Sequence, residues 1–208
     1  LFAKGNDKTP IEIIALDKKF NSGDYWHVEI EGLIEGCCYS YRVTNDNAST
    51  LNNSKTDFSL IDPCAREISG WDLFNKASSK EKSPKNENYL KSVVSERNLF
   101  DFNAHPRPNH SWNQTVIYEL HVGGFTQRSD SKVDHDKQGT FLGLIEKIPY
   151  LKDLGITSIE LLPVFAFDPF DAPIGVSNYW GYSPINWFTP HSAYISSNQP
   201  STARDQFR

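Results

Sequence analysis

The sequence predicts a small antiparallel β-sandwich followed by the opening of a parallel α/β domain. Three observations carry that prediction. Short β-branched and aromatic runs, separated by turn residues, recur at even spacing over residues 1–64. A strand–helix–strand pattern occupies residues 116–164. Between the two, from Asn75 to Asn88, the composition collapses into Lys, Ser, Glu and Asn, which predicts an exposed linker.

In order along the chain, Ile11–Leu16 and Tyr25–Ile30 read as strands, with Asn21-Ser22-Gly23-Asp24 as turn chemistry between them. A third run, Cys37–Val43, follows Glu35-Gly36. From Thr115 the pattern changes. Val116–Val122 is a largely apolar strand, followed by a loop containing Gly123-Gly124. Leu142, Ile145, Ile148, Leu151 and Leu154 then repeat at three-residue steps, close enough to the helical period to line one face. Pro149 interrupts that helix and should kink it or mark an N-terminal side, because proline lacks the N–H that an interior position needs. Gly155 closes the helix as a C-cap, and Ile156–Val164 forms the second strand. A βαβ unit makes these two strands parallel.

Composition narrows the possible functions. With 21 Lys and Arg against 26 Asp and Glu the chain carries a formal charge of −5 and no basic block, which disfavours nucleic-acid binding. No apolar run approaches the ~20 residues that span a bilayer, so no membrane partner is expected. Three cysteines, with Cys37 and Cys38 adjacent and Cys64 alone, predict free thiols and a reducing, cytoplasmic location. Methionine is absent, so Leu1 as written is not a translational start, and Thr202-Ala203-Arg204-Asp205 reads as a capping box opening a helix near the other end. The sequence reads as an internal fragment of a longer protein.

The candidate chemistry lies in loops that leave the carboxyl ends of the parallel strands. Gly123-Gly124 lacks the spacing and basic residues of a phosphate loop and predicts a simple turn. The loop from Phe165 to about Ser197 is long and aromatic. It holds Asn178-Tyr179-Trp180-Gly181-Tyr182-Ser183-Pro184, then Trp187, Phe188, His191 and Tyr194. Flat aromatic faces beside Asn and His suit a sugar ring, but an aromatic mini-core holding the loop down fits the same residues, and the two readings stand level. Asp168 and Asp171 are a possible carboxylate pair, yet their proline contexts favour turns. Glu119 and Glu160 read as solvated or buried strand acids, and His121 as a satisfied structural histidine. No Ser/His/Asp set, H-E-x-x-H or C-x-x-C pattern occurs, so no complete active site assembles from these residues.

Taken together, several stretches resemble one family. Val116–Thr126 resembles the first barrel strand of glycoside hydrolase family 13, of the isoamylase and glycogen-debranching type. Gly139–Phe141 through Ile148–Thr157 resembles its first helix and second strand. Glu160–Val164 and Asn178–Pro184 resemble the end of that strand and the loop beyond. Upstream, Asp62–Gly70 resembles the junction after a family-48 carbohydrate-binding module. The fold implied is an immunoglobulin-like β-sandwich followed by the first strands and helix of a (β/α)8 TIM barrel, truncated: 1–64 the carbohydrate-binding-module-like sandwich, 65–114 junction and linker, 115–208 the incomplete barrel. A full barrel takes ~250 residues, and residues 115–208 number 94.

The resemblance also implies a function: a hydrolase that cleaves α-1,6 branch points of glycogen and limit dextrins by a retaining double displacement. Its nucleophile, acid/base and stabilising carboxylate belong to later barrel strands, so no catalytic residue is assigned here. Carried over is Tyr182, which in the family stacks on the sugar in the subsite before the cleaved bond, with Trp180 and Asn178 shaping the same wall. The partner implied is an α-glucan: glycogen, limit dextrin or malto-oligosaccharide. No cofactor is implied, and residues 165–178 lack the acidic Glu-Thr motif through which some isoamylases hold calcium. Branching enzymes and trehalose-releasing hydrolases share the fold and remain alternatives, as does a glucan-binding module without catalysis.

Overall fold

The structure is a computed structural model that describes residues 1–43, 58–74, 90–95, 101, 107–197 and 202–208. The predicted linker, Asn75 to Asn88, lies outside the described residues. The chain divides into two compact units, Leu1–Glu96 and Arg97–Arg208.

The first unit is built from small antiparallel sheets. Its strands are β1 (Asn21–Ser22), β2 (Tyr25–Trp26), β3 (Cys38–Tyr39), β4 (Tyr41–Val43), β5 (Phe58–Leu60), β6 (Ile68–Ser69) and β7 (Lys91–Val93). β1 pairs with β2, β4 with β5, and β3-β7-β6 form a three-stranded sheet. Its sequestered apolar residues are Cys38, Ala65, Ile68, Leu90 and Val93. Lys91 is buried with them. Its ammonium donates to the Gly5 carbonyl at 2.8 Å and lies 4.6 Å from the centre of the Phe2 ring, which offsets the loss of water.

Several expectations change here: of Tyr25–Ile30 only Tyr25–Trp26 is a strand, paired with Asn21–Ser22, two residues of the expected turn. Ile11–Leu16 forms no strand: Ile11 N–H donates to the Leu1 carbonyl at 2.8 Å and the terminal amine to the Glu12 carbonyl at 2.7 Å, without a ladder, and Ile11 and Ile13 stay exposed. Strand propensity acts through neighbours to pack against, and this run acquires none. The sheet also continues beyond residue 64, because β6 and β7, inside the stretch expected as junction, flank one another beside β3.

The second unit contains the predicted parallel pair. β8 (Ile117–Leu120) lies parallel to β9 (Ser158–Leu161) with Glu119 opposite Glu160 and Leu120 opposite Leu161. Among the described residues there is no closed barrel. Between the strands run three short helices, α1 (Val122–Thr126), α2 (Phe141–Glu146) and α3 (Ile148–Asp153). The single helix expected over 142–154 is therefore two. The break falls at Lys147, and Pro149 sits in the first turn of α3, where its missing N–H costs nothing. The buried face also differs from the expected row of three-residue steps. Phe141, Leu144 and Leu151 enter the core, whereas Ile145, Ile148 and Leu154 are exposed.

The helix ends follow local chemistry. The Thr140 hydroxyl caps α2 by accepting from Gly143 N–H at 3.2 Å. After α3, Gly155 takes φ +86°, its N–H donates to the Lys152 carbonyl and Ile156 N–H to the Leu151 carbonyl, a complete Schellman closure. α4 (Ala203–Phe207) opens with the predicted Thr202–Asp205 capping box. The core joins Leu120, Val122, Phe141, Leu144, Leu151, Phe167 and Tyr194.

Candidate functional site

The long segment after β9 is a hairpin rather than an open loop. β10 (Phe165–Phe167) pairs antiparallel with β11 (Pro184–Pro190) through an irregular register, and residues 168–183 project between them. The projection leaves the carboxyl end of the parallel pair, the side on which such folds bind ligands.

Turn chemistry shapes it. Asp168 Oδ1 accepts from Phe170 N–H at 2.8 Å, and Asp171 accepts from the Ser183 hydroxyl. Both acids are therefore employed in turns and do not form a free carboxylate pair. Asn178 closes the tip. Its Nδ2 donates to the Asp168 carbonyl at 3.0 Å and to the Tyr182 carbonyl at 2.5 Å, and its Oδ1 accepts from Gly181 N–H at 3.1 Å. With both amide protons committed, Asn178 shapes the turn through its backbone. Gly181 is buried at φ +80°, where a Cβ would lie 3.0 Å from the Pro163 carbonyl and 3.1 Å from the Phe167 ring. Only glycine lets the backbone settle this closely against the end of β9.

This packing turns two aromatic faces outward. Tyr182 is 58% exposed and Trp180 56% exposed. The Tyr182 phenol has no hydrogen-bond partner among the described residues. Trp180 stands edge-on to the His121 ring at 6.4 Å and to Tyr179 at 5.4 Å. On β11, Trp187 and Phe188 are also exposed, with Trp187 4.8 Å from Phe165.

The other aromatic candidates turn inward. Tyr194 is buried between Phe141 and the His121 ring, and burial pushes its phenol up to about 12. His191 is buried against Phe167 at 4.0 Å; its Nδ1 accepts from Ala193 N–H at 2.9 Å and its Nε2 lies 3.2 Å from the Phe167 carbonyl. An accepting Nδ1 requires the proton on Nε2, so the ring is neutral, and burial lowers its pKa to about 4 despite the carbonyl contact. The aromatic candidates therefore divide: His191 and Tyr194 form the mini-core, whereas Trp180 and Tyr182 present open faces.

His121 carries more than its residue type announces. It caps α1, Nδ1 accepting from Gly124 N–H at 2.9 Å, while Nε2 meets the Tyr179 carbonyl at 2.8 Å and the Tyr194 hydroxyl at 3.2 Å. Its ring stacks on Tyr179 at 4.3 Å and 18°. Desolvation lowers its pKa against the opposing Tyr179 carbonyl bond. Gly123-Gly124, expected as a simple turn, is helical because this cap satisfies its first-turn N–H. Tyr179 was missed as a contributor; its place directly before Trp180 in the aromatic run was the available signal. Glu119 and Glu160 face each other across the parallel pair and are exposed. Among the described residues, no group of three His, Cys, Asp or Glu side chains is placed to hold a metal ion.

Residues 125–189 match the family described as alpha amylase, catalytic domain. The chain is similar to isoamylase 3, chloroplastic, of Oryza sativa subsp. japonica, at 36% identity over 202 residues, covering 90% of this chain and 24% of the relative. It therefore spans about a quarter of the length of that curated relative. Among solved structures, the apo pullulanase of Paenibacillus barengoltzii shares the fold with a TM-score of 0.70 at 21% identity, covering 99% of this chain and 30% of that one. The product complex of the multi-modular glycogen-degrading pneumococcal virulence factor SpuA matches with a TM-score of 0.58 at 25% identity, covering 83% of this chain and 18% of that one. With the parallel β8–β9 pair and the aromatic hairpin beyond it, these likenesses place the chain in the alpha-amylase family, glycoside hydrolase family 13, among relatives of the debranching type.

Proposed function

We propose that this chain is the part of a debranching glycoside hydrolase that carries a carbohydrate-binding-module-like sandwich and the first strands of the catalytic (β/α)8 barrel. In the whole protein the reaction is retaining cleavage of α-1,6 branch points in glycogen or limit dextrins, with catalytic carboxylates supplied by later barrel strands. This chain contributes a substrate wall: Tyr182 and Trp180 stack on α-glucan rings, and Asn178 holds them in place.

The observation that carries the reading is the outward presentation of Tyr182 and Trp180 at the carboxyl side of a parallel strand pair, on a turn whose Asn178 amide is already committed to its backbone. Sugar rings offer C–H faces to such aromatics, and the free Tyr182 hydroxyl remains for a sugar oxygen. The relatives add support: a glycogen-degrading module and a pullulanase share the fold.

Affinity electrophoresis in glycogen, with reducing-sugar release measured alongside, tests the proposal. Retardation that Tyr182→Ala abolishes, with no sugar release above buffer, is the expected result. Unretarded migration, or hydrolysis by the chain alone, refutes it.

A further inference from the structure

We propose that His121 is the positioning residue of the aromatic turn: its Nε2–H ties the Tyr179 carbonyl, and with it Trp180 and Tyr182, to the carboxyl end of β8. That the turn presents faces to a glucan rests on the reading above; the tie itself stands on the geometry of this unit.

The argument begins with the proton. Nδ1 of His121 accepts from Gly124 N–H at 2.9 Å, so the ring hydrogen belongs to Nε2. That hydrogen points at the Tyr179 carbonyl, 2.8 Å away, with the Tyr194 hydroxyl oxygen a weaker second acceptor at 3.2 Å. One imidazole therefore links three segments distant in sequence: the end of β8, the turn at 178–182, and the buried Tyr194. The ring also supplies a face, stacking on Tyr179 at 4.3 Å.

The neighbouring glycines make the approach possible. A Cβ on Gly124 would overlap the Tyr179 hydroxyl, and one on Gly123 would come within 3.0 Å of the His121 ring. Gly124 thus clears the space that the Tyr179 hydroxyl occupies, and Gly123 the space beside the imidazole itself. Within the turn, Asn178 fixes the shape; His121 fixes where that shape sits. The groups that face the imidazole are the Tyr179 and Tyr194 phenols and the Trp180 indole, none of them ionic.

Two substitutions separate the histidine's roles. An asparagine places its oxygen near the position of Nδ1 and keeps the cap on Gly124, but falls short of Tyr179. A glutamine reaches toward Tyr179 and gives up the cap. Amide exchange in the 208-residue chain reads the outcome at Asn178, whose N–H bonds the Pro169 carbonyl, and at Gly181, whose N–H bonds Asn178 Oδ1. Leu162 N–H, bonded to the Leu120 carbonyl, reports the parallel pair.

In His121→Asn, exchange at Asn178 and Gly181 should accelerate at least about tenfold while Leu162 is unchanged. In His121→Gln both amides should stay within about threefold of the unaltered chain. Unchanged exchange at Asn178 and Gly181 in His121→Asn overturns the proposal. Equal acceleration in the two variants, or opening that includes Leu162 in both, overturns it as well, because His121 would then serve the fold as a whole. Since exchange is read without sugar, failure of the tie and failure of glucan binding are separate results.

Discussion

Replacing Gly181 with alanine should destabilise the second unit through two separable effects, and the structure contains the control that separates them. Gly181 sits at φ +80°, where an L-residue costs roughly 1–2 kcal/mol. Its new Cβ would also press on the Pro163 carbonyl at 3.0 Å and the Phe167 ring at 3.1 Å. One of those neighbours is backbone and the other is a buried core ring, so neither yields easily, and overpacking of this kind costs about 1–3 kcal/mol. Gly155 has nearly the same backbone, φ +86°, with nothing within 4 Å of its Cβ position. Gly155→Ala therefore carries the backbone cost alone, about 1–2 kcal/mol, and Gly181→Ala about 2–5 kcal/mol. The entropy that alanine removes from the unfolded chain is common to both and cancels in the difference. Urea unfolding followed at the methyl resonances of Leu120 and Leu151 reports the core of the unit that holds both glycines. Equal losses in the two variants, within about 0.5 kcal/mol, would refute close packing as the reason for Gly181. Glycogen retardation should weaken in Gly181→Ala and persist in Gly155→Ala, since only the first displaces Tyr182.

In the whole enzyme, Tyr182→Ala should lower kcat and kcat/KM by roughly ten- to a hundredfold, the equivalent of about 1.4–2.8 kcal/mol of stacking, with Tyr182→Phe much milder. Kinetics normalised to folded protein check this, and an unchanged kcat/KM removes Tyr182 from the site. Stability of the second unit should fall with acidification. His191 has its folded pKa lowered from 6.5 to about 4, so the unfolded chain binds the extra proton first. Its stabilising contribution is complete above about pH 6.5 and is lost as pH falls toward 4, by up to about 3 kcal/mol. His121, also lowered, adds to the same limb. Urea midpoints across that range should decline less steeply in His191→Asn, which retains a cap acceptor for Ala193; an identical slope would contradict the assignment.

Local chemistry made several features legible in advance. The parallel pairing of β8 and β9, the Gly155 closure and the Thr202–Asp205 capping box all depend on neighbours within a few residues, or on the handedness of a short crossover. The family was legible too, because residues 116–184 keep its motifs in their order. The site was legible as a segment only. Asn178, Trp180 and Tyr182 do share one turn, but the sequence did not show that the Asn178 amide is spent on carbonyls inside it.

What the sequence determined by itself, then, is the parallel strand pair and the helix-end chemistry of the second unit, the family and the address of the aromatic turn. The tertiary structure alone decided which aromatics are buried, which face of the helical stretch enters the core, and what His121 holds. Ile145 and Leu144 are adjacent and equally apolar, yet they lie about 100° apart around α2 and tertiary packing sets Leu144, not Ile145, against the core. Tyr194 and Tyr182 are the same residue type twelve positions apart, and one is sealed under His121 while the other faces out. Burial is set by residues brought from far along the chain, such as β8 meeting the 178–182 turn through one imidazole, and no local period or propensity encodes those encounters.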